Sequence, residues 1–413
     1  MSPSKLKILC IAPHYDKNVP GESWSTYKWV EGLSRCCEVS VLTTHAEGWN
    51  QNHSPTDAKE VIEWPDVTLP GRFARINFEM SPGYLVFYYR TRKWIKHRLR
   101  NGWDFDLVHQ ISPLALRYPS PVAGLGIPFV IGPLAGSLST PIGFAAEGTD
   151  KQWFRKLRYL DKFRLRFDPF LRRTYADAEL VLGVAPYVQD FLAPCGLKRF
   201  EIMSETGVDS VTKIRTSAYV DREPFKLLFV GRIIRTKGVI DAIRAVALGS
   251  KRHRLQFDII GDGDHLAACR DEVLRLGLEK HVHFHGWLPR TELENWYQSA
   301  DVFLFPSFRE PSGNVIFESM KHGLPVITST LGGPGYVIDD SCGIRVLPIT
   351  PEAYSKSLGE AITELASNPR RLAEMSEAAV ARLERVALWK PKIRRMLALY
   401  EEIVRSARDS IEP

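Results

Sequence analysis

The chain has no run of eighteen or more uncharged apolar residues, which argues against a membrane-spanning helix of ordinary length. Its six cysteines (Cys10, Cys36, Cys37, Cys195, Cys269 and Cys342) include one adjacent pair but no C-x-x-C, so neither a disulfide framework nor a cysteine metal site is expected. No segment repeats at a fixed short period, and none is of low complexity. The opening "MSPSKLKILCIAPHY" passes from a basic residue directly into a short strand-like run, too short for a secretory signal core. A cytoplasmic location is the expectation. A G-x-G-x-x-G fingerprint is also missing: the nearest stretch, "FDIIGDGDHL", has the wrong spacing for a dinucleotide.

What is present points to two α/β domains. At 413 residues the chain exceeds what one hydrophobic core usually holds. Short apolar runs recur with helical-length segments between them: "KILCIAP", "EVSVLTT", "FDLVHQ", "PFVIG" and "ELVLGVA", then "FKLLFVG", "LQFDIIG", "VHFHG", "DVFLFPS" and "PVITS". Runs this short and apolar read as buried parallel strands, and two series imply two Rossmann-like doubly wound sheets. The expected domains are residues 1–205 and 206–391, with a linker in 206–224. A last helix in 392–413, with Ile393, Met396, Leu397, Tyr400, Ile403 and Val404 on one face, is expected to pack back on the first domain. Open parallel sheets hold ligands beyond the carboxyl ends of their strands, so the cleft between two such domains is the expected active site.

The strand ends carry the chemistry. "FVGRIIRTKG" closes a strand at Gly231 and then offers Arg232 and Lys237, a planar and a compact cation suited to a diphosphate. At Gly261 and Gly263 the missing side chains let a ligand approach the backbone. In "REPSGNVIFES" a turn through Gly313 starts a helix near Asn314, so the N–H groups of residues 313–315 can receive an anion. Glu310 and Glu318 flank that point, and carboxylates are strong acceptors for vicinal hydroxyls such as those of a nucleotide-sugar. Against this stands the plain alternative of an acidic helix start and two solvated cations. The D-x-D pairs Asp262/Asp264 and Asp104/Asp106 fit a divalent metal or, preferably, turns and N-caps. His281, His283 and His285 alternate along one strand face, more in keeping with a half-exposed strand than with a metal site.

In this order, "FVGRIIRTKG", "IIGDGDHL", "HGWLPRTELENWYQSADVFLFPS", "EPSGNVIFESMKHGLPVITS" and "GGPGYVIDDSCGIRV" resemble the retaining glycosyltransferases of family 4, with their two-domain GT-B fold. The resemblance covers residues 226–347 and extends more weakly to the whole chain. It implies that Arg232 and Lys237 neutralise the donor diphosphate and that Glu310 holds hydroxyls of the transferred sugar, all three being the catalytic set. It also implies that Glu318 holds the ribose and that Gly313, Asn314 and Val315 meet the phosphates, with the base near Gly261 and Leu288 and with Gly231 lining the donor side. No metal cofactor is implied. The first domain departs from the family pattern. Instead of a double-glycine loop, "PHYDKNVPGESWST" offers a single Gly21, and "VIGPLAGS" stands where many members carry a histidine, so Gly132 and Gly136 are its acceptor-side substitutes. Apart from the resemblance, His109 stands at a strand's C-terminal end in "LVHQIS", which makes it an acceptor-side candidate with a structural role as the equal alternative.

The net charge of +7 resides mostly in the first half, where residues 81–175 hold sixteen Lys and Arg against six Asp and Glu. Within 151–173, Trp153, Leu157, Leu160, Phe167 and Leu171 share a helical face amid nine basic residues, which suits an anionic membrane surface presenting a lipid-linked saccharide. An ordinary amphipathic helix with a solvated basic face is the competing expectation. No recognition motif accompanies the charge, so nucleic acid is not expected. The leading function is transfer of sugar from a nucleotide-diphosphate sugar to a saccharide or lipid-linked acceptor in glycoconjugate biosynthesis. A phosphorylase or sugar-nucleotide epimerase of the same fold, and a non-catalytic nucleotide-sugar-binding subunit, are the alternatives.

Overall fold

The computed structural model describes residues 5–19, 21–45, 58–67, 81, 83–147, 160–211 and 223–409. Trp153, Leu157 and most of the expected linker lie outside these. The chain divides into two compact units. The first takes residues 1–137, 152–206 and 389–413; the second takes 138–151 and 207–388. Residues 138–151, expected in the first domain, therefore belong to the second.

The first unit is built on a sheet of order β3-β2-β1-β4-β5-β6-β7, whose strands are β1 (Lys7–Ile11), β2 (Glu38–His45), β3 (Glu60–Pro65), β4 (Leu107–Gln110), β5 (Phe129–Leu134), β6 (Leu180–Gly183) and β7 (Phe200–Ile202). Its described helices are α1 (Glu22–Ser34), α2 (Tyr84–Asn101), α3 (Leu160–Phe167), α4 (Pro169–Asp177) and α5 (Tyr187–Leu192). The second unit has the order β10-β9-β8-β11-β12-β13, with β8 (Phe225–Val230), β9 (Leu255–Ile260), β10 (Val282–Gly286), β11 (Val302–Phe305), β12 (Val326–Ser329) and β13 (Gly343–Val346). Its helices are α6 (Val239–Gly249), α7 (Leu266–Leu276), α8 (Arg290–Ser299), α9 (Asn314–Lys321), α10 (Gly332–Val337), α11 (Pro351–Ala366) and α12 (Pro369–Ala387). Every described pairing is parallel. Two Rossmann-like parallel-sheet α/β domains are thus the observed fold class, as the two series of apolar runs indicated.

The strands that the apolar runs missed are β3, β7 and β13, and each lies at a sheet edge. An edge strand is covered less completely, so it carries no continuous apolar run: β3 is exposed or half-buried throughout, and β7 is half-buried along its three residues. The central strands are the opposite case, with β4, β6, β11 and β12 buried at every position.

The last helix, α13 (Trp389–Asp409), joins the core of the first unit. Ile393, Met396, Tyr400, Ile403 and Val404 are buried there together with Trp29, Val30 and Leu33 of α1 and Cys10 of β1. Lys392 is buried with them. Its ammonium donates to the carbonyls of Ser204, at 3.0 Å, and Thr206, and lies 4.2 Å from the Trp389 ring centre. Carbonyls and π-faces replace water around it, while burial pushes its pKa well below the ordinary lysine value. The same stretch is held from α1, since the Trp29 indole donates to the Glu205 carbonyl at 2.8 Å.

The approach of α1 to α13 leaves no room at Gly32, where an added Cβ would sit 2.7 Å from the Ile393 side chain. Gly32→Ala should lower the urea midpoint by the equivalent of about 1–3 kcal/mol through overpacking. Adding Ile393→Val should restore part of that loss; an unchanged midpoint in the single variant would contradict the tight helix contact.

Candidate functional site

In the second unit the strand order reverses between β8 and β11: the chain builds outward from β8 to β10, then returns to β11 on the other side of β8. Loops leaving two adjacent parallel strands at such a point part to opposite faces and leave a crevice. The loop after β8 carries Gly231, Arg232 and the 3-10 turn Arg235–Lys237; the loop after β11 carries Glu310 and leads into α9.

The two loops meet through an ion pair between Lys237 and Glu310, whose side chains are only 14% and 12% exposed. The Lys237 ammonium also lies 5.3 Å from the Phe305 ring centre. Around it the backbone is tight. Gly238 has φ 72°, and a Cβ there would lie 2.1 Å from the Pro306 carbonyl oxygen, so a side chain would push the β8 loop off the end of β11. Gly261, after β9, would place a Cβ 1.9 Å from the Gly231 carbonyl. These glycines let three strand ends converge.

Gly313 (φ 78°) takes the left-handed conformation that caps α9, and the Glu310 side chain is its near neighbour. The first N–H groups of a helix have no intrahelical acceptor, and an anion can supply one. Asn314, the first residue of α9, has a buried Oδ1 with no hydrogen-bond partner. Val315 is partly buried against the core. One turn further, Glu318 is engaged on both oxygens: Arg290 lies 2.8 Å from one, and the Tyr297 hydroxyl donates to the other at 3.3 Å. Burial first, and then the Glu318 charge, push the Tyr297 pKa well above its ordinary value, so the phenol keeps its proton. Arg232 is exposed at the end of β8, and Leu288 is partly buried after β10.

The structure thus brings Lys237 to Glu310 and Gly313 to Glu310, and lays Gly231 against Gly261. Four participants escaped the sequence reading: Arg290 and Tyr297, which hold Glu318, and the buried pair Arg235–Asp241 beneath Lys237, bonded at 2.6 and 3.1 Å. Arg235 stands inside the quoted "FVGRIIRTKG" as a third cation beside Arg232 and Lys237, and that extra charge was the available signal.

Among the described residues no group of His, Cys, Asp and Glu could hold a metal ion. Asp104 pairs with Arg98 at 2.8 Å and Asp106 accepts from the distant Lys7 N–H at 2.9 Å, neither of them the turn or N-cap role preferred from sequence, whereas Asp262 accepts from the neighbouring Gly263 N–H at 2.7 Å. His281 bonds the Leu255 carbonyl and His285 pairs with Asp258 at 2.8 Å.

In the first unit Gly21 (φ 91°) precedes α1 and Gly136 (φ 107°) follows β5, both with open space where a side chain would be. Gly132 is different: a Cβ would lie 2.3 Å from the Leu182 carbonyl, so it is packed within the sheet. His109 is fully buried in β4. Its Nε2–H donates to the Gly132 carbonyl at 2.7 Å, which leaves Nδ1 to accept from the Tyr400 hydroxyl. The expectation that His109 and Gly132 contact an acceptor finds neither with a free face; they bond each other inside the sheet instead.

Residues 210–382 match the family model described as Glycosyl transferases group 1, under half of the chain. An uncharacterized glycosyltransferase of Methanocaldococcus jannaschii is 31% identical over 170 residues, 41% of this chain and 44% of that protein. A D-inositol 3-phosphate glycosyltransferase of Streptomyces griseus is 33% identical over 165 residues, 37% and 34% of the two chains. The chain therefore spans less than half the length of these curated relatives. Among solved structures, the sucrose-phosphate synthase from Thermosynechococcus elongatus superposes with a TM-score of 0.66 at 18% identity, covering 97% of this chain and 100% of that one. Anabaena HepE in complex with UDP does so with 0.64 at 15%, covering 96% and 100%. At these identities the likeness shows the shared GT-B fold.

Burial lowers the His109 pKa to about 4, the Gly132 hydrogen bond opposing it only in part. The unfolded chain, with an ordinary value near 6.5, binds this proton first as pH falls. Stability from this group is complete above about pH 6.5 and declines towards pH 4, by roughly 3 kcal/mol in all. His109→Gln should flatten that decline in urea midpoints between about pH 7 and pH 4.5; identical slopes would show that His109 does not cause it.

Proposed function

We propose that the chain is a retaining glycosyltransferase of family 4 that moves a sugar from a nucleotide-diphosphate sugar to a saccharide or lipid-linked acceptor without a metal ion. The observation that carries this reading is the Lys237–Glu310 pair at the β8/β11 reversal, beside the Gly313-capped start of α9 and the unpartnered Asn314 Oδ1. The match of residues 210–382 to the group 1 family spans all of these residues.

In this mechanism Lys237 and Arg232 neutralise the diphosphate, and the N–H groups opening α9 take its oxygens. Glu318 accepts the ribose hydroxyls and Glu310 those of the sugar. The bond between the anomeric carbon and the phosphate oxygen breaks while the acceptor oxygen bonds to the same face of that carbon. The acceptor proton passes to the departing phosphate, so no enzyme carboxylate forms a covalent intermediate. Lys237, held by Glu310, together with Arg232 and a helix start supplies the charge stabilisation that a metal gives elsewhere.

The acceptor's membrane attachment has its own support. Phe163 (61%), Phe167 (59%) and Phe170 (65%) are exposed on α3 and α4 of the first unit, next to exposed Arg166, Arg172 and Arg173. Aromatics set among arginines suit the interface of an anionic bilayer, and a cytoplasmic enzyme bound peripherally there would meet a lipid-linked saccharide.

Four measurements test the proposal. Thermal-shift screening against UDP, GDP and ADP sugars should reveal one donor class, since a ligand at 100 times its Kd stabilises by about 2.7 kcal/mol. With that donor radiolabelled, Lys237→Ala and Glu310→Ala should each lower turnover by about 10²–10³-fold in a folded protein. EDTA should leave the wild type active. Wild-type turnover in either variant, or loss in EDTA restored by magnesium or manganese, would refute the assignment; release of no sugar at all would favour a binding subunit. Sedimentation with phosphatidylglycerol vesicles at low salt should deplete the wild type, and Phe163→Ser/Phe167→Ser should remain in the supernatant.

A further inference from the structure

The segment 138–151 falls between β5 and α3 in sequence, yet it belongs to the second unit. Its 3-10 turn, Ile142–Glu147, carries one large apolar side chain into that unit: Phe144 is fully buried in the core, whereas Ile142 two residues earlier is 93% exposed. The Phe144 ring packs on Phe308 with 4.4 Å between ring centres and meets the Tyr354 ring at 6.0 Å. The Arg235 guanidinium lies over both phenylalanines, 5.3 Å from the Phe144 centre and 5.2 Å from that of Phe308, while it holds Asp241 through two hydrogen bonds.

Those neighbours sit at particular places. Arg235 is two residues before Lys237, and Phe308 is two residues before Glu310, so one ring is wedged at the root of both loops that deliver the ion pair. Other contacts fasten the same segment around the same loops. The Thr140 hydroxyl accepts from Arg309 at 3.3 Å, directly beside Glu310. Gly143 lies so close to β13's outgoing chain that a Cβ would be 1.9 Å from the Ile349 carbonyl oxygen. Leu138 abuts Gly332, which itself presses on the Glu310 carbonyl.

We infer that Phe144 is a positioning residue for the Lys237–Glu310 pair: its ring sets the separation of the loops at 235–237 and 308–310, and through them the grip of the site on a nucleoside diphosphate. The side chain touches neither Lys237 nor Glu310 in the contacts described, so its influence runs through Arg235 and Phe308. Truncating it leaves a void bounded on one side by the Arg235 guanidinium, which then has no Phe144 face to rest against. The inference rests on the nucleotide-sugar reading above.

Isothermal titration of the whole chain with UDP, GDP and ADP tests it, using Phe144→Ala, Phe144→Leu, Lys237→Ala and the double variant Phe144→Ala/Lys237→Ala. The wild type should bind one of the three nucleotides with one site per chain. Phe144→Ala should weaken that binding about tenfold with the stoichiometry unchanged, whereas loss of folded protein would lower the stoichiometry and leave the affinity alone. Phe144→Leu, which refills most of the volume, should recover most of the loss. In the Lys237→Ala background Phe144→Ala should add under about threefold, because residues acting through one group are not additive. Full additivity, or a reduced stoichiometry at unchanged affinity, would overturn the positioning role. Should the alanine variant not fold, the cycle is run with Phe144→Leu, where the same additivity would overturn it. A wild type that binds none of the three nucleotides removes the nucleotide reading itself, and this inference with it.

Discussion

The sugar-transfer site of this chain depends on one contact, the meeting of the Lys237 ammonium and the Glu310 carboxylate in a largely buried setting. Each charge alone would be costly to hold there, and together they neutralise one another while remaining at the surface of a crevice. The contact exists because β8 and β11 are neighbours in the sheet, which brings together Lys237 and Glu310 although they are 73 residues apart in the chain. A strand order that reverses at this point sends one loop to each face and opens room between them. The polar residues of the site follow from that topology.

The glycines around the site act on the same geometry. Gly238 lets the loop after β8 press against Pro306, and Gly261 lets the end of β9 close on Gly231. Gly313 turns the chain so that α9 begins beside Glu310. Beneath, the core of the second unit is completed by Phe144 from a distant stretch of sequence. The first unit is completed similarly by α13, which brings Tyr400 to His109 and Lys392 to the carbonyls of 204 and 206. Each unit thus borrows part of its core from a chain segment outside its main run.

Much of this was legible beforehand because the relevant signals are local. A fully buried parallel strand must be continuously apolar, so the inner strands declared themselves. A glycine at a strand end and a cation a few residues on are likewise written in consecutive positions. The edge strands β3, β7 and β13 were not legible, since partial exposure removes the apolar run. Nor was the burial of His109: a histidine at a strand end looks the same whether it faces solvent or a tyrosine 291 residues away, as Tyr400 is.

By itself the sequence determined the two-sheet α/β class, the positions of the phosphate-suited loops and the amphipathic last helix, because periodicity and turn chemistry act over a few residues. Only the tertiary structure decided that residues 138–151 join the second unit, that Glu318 is held by Arg290 and Tyr297, and that Arg235 lies over two phenylalanine rings. Those outcomes are set by side-chain volume and by charge desolvation between segments far apart in the chain, and no local pattern records which distant partner will fill a given space.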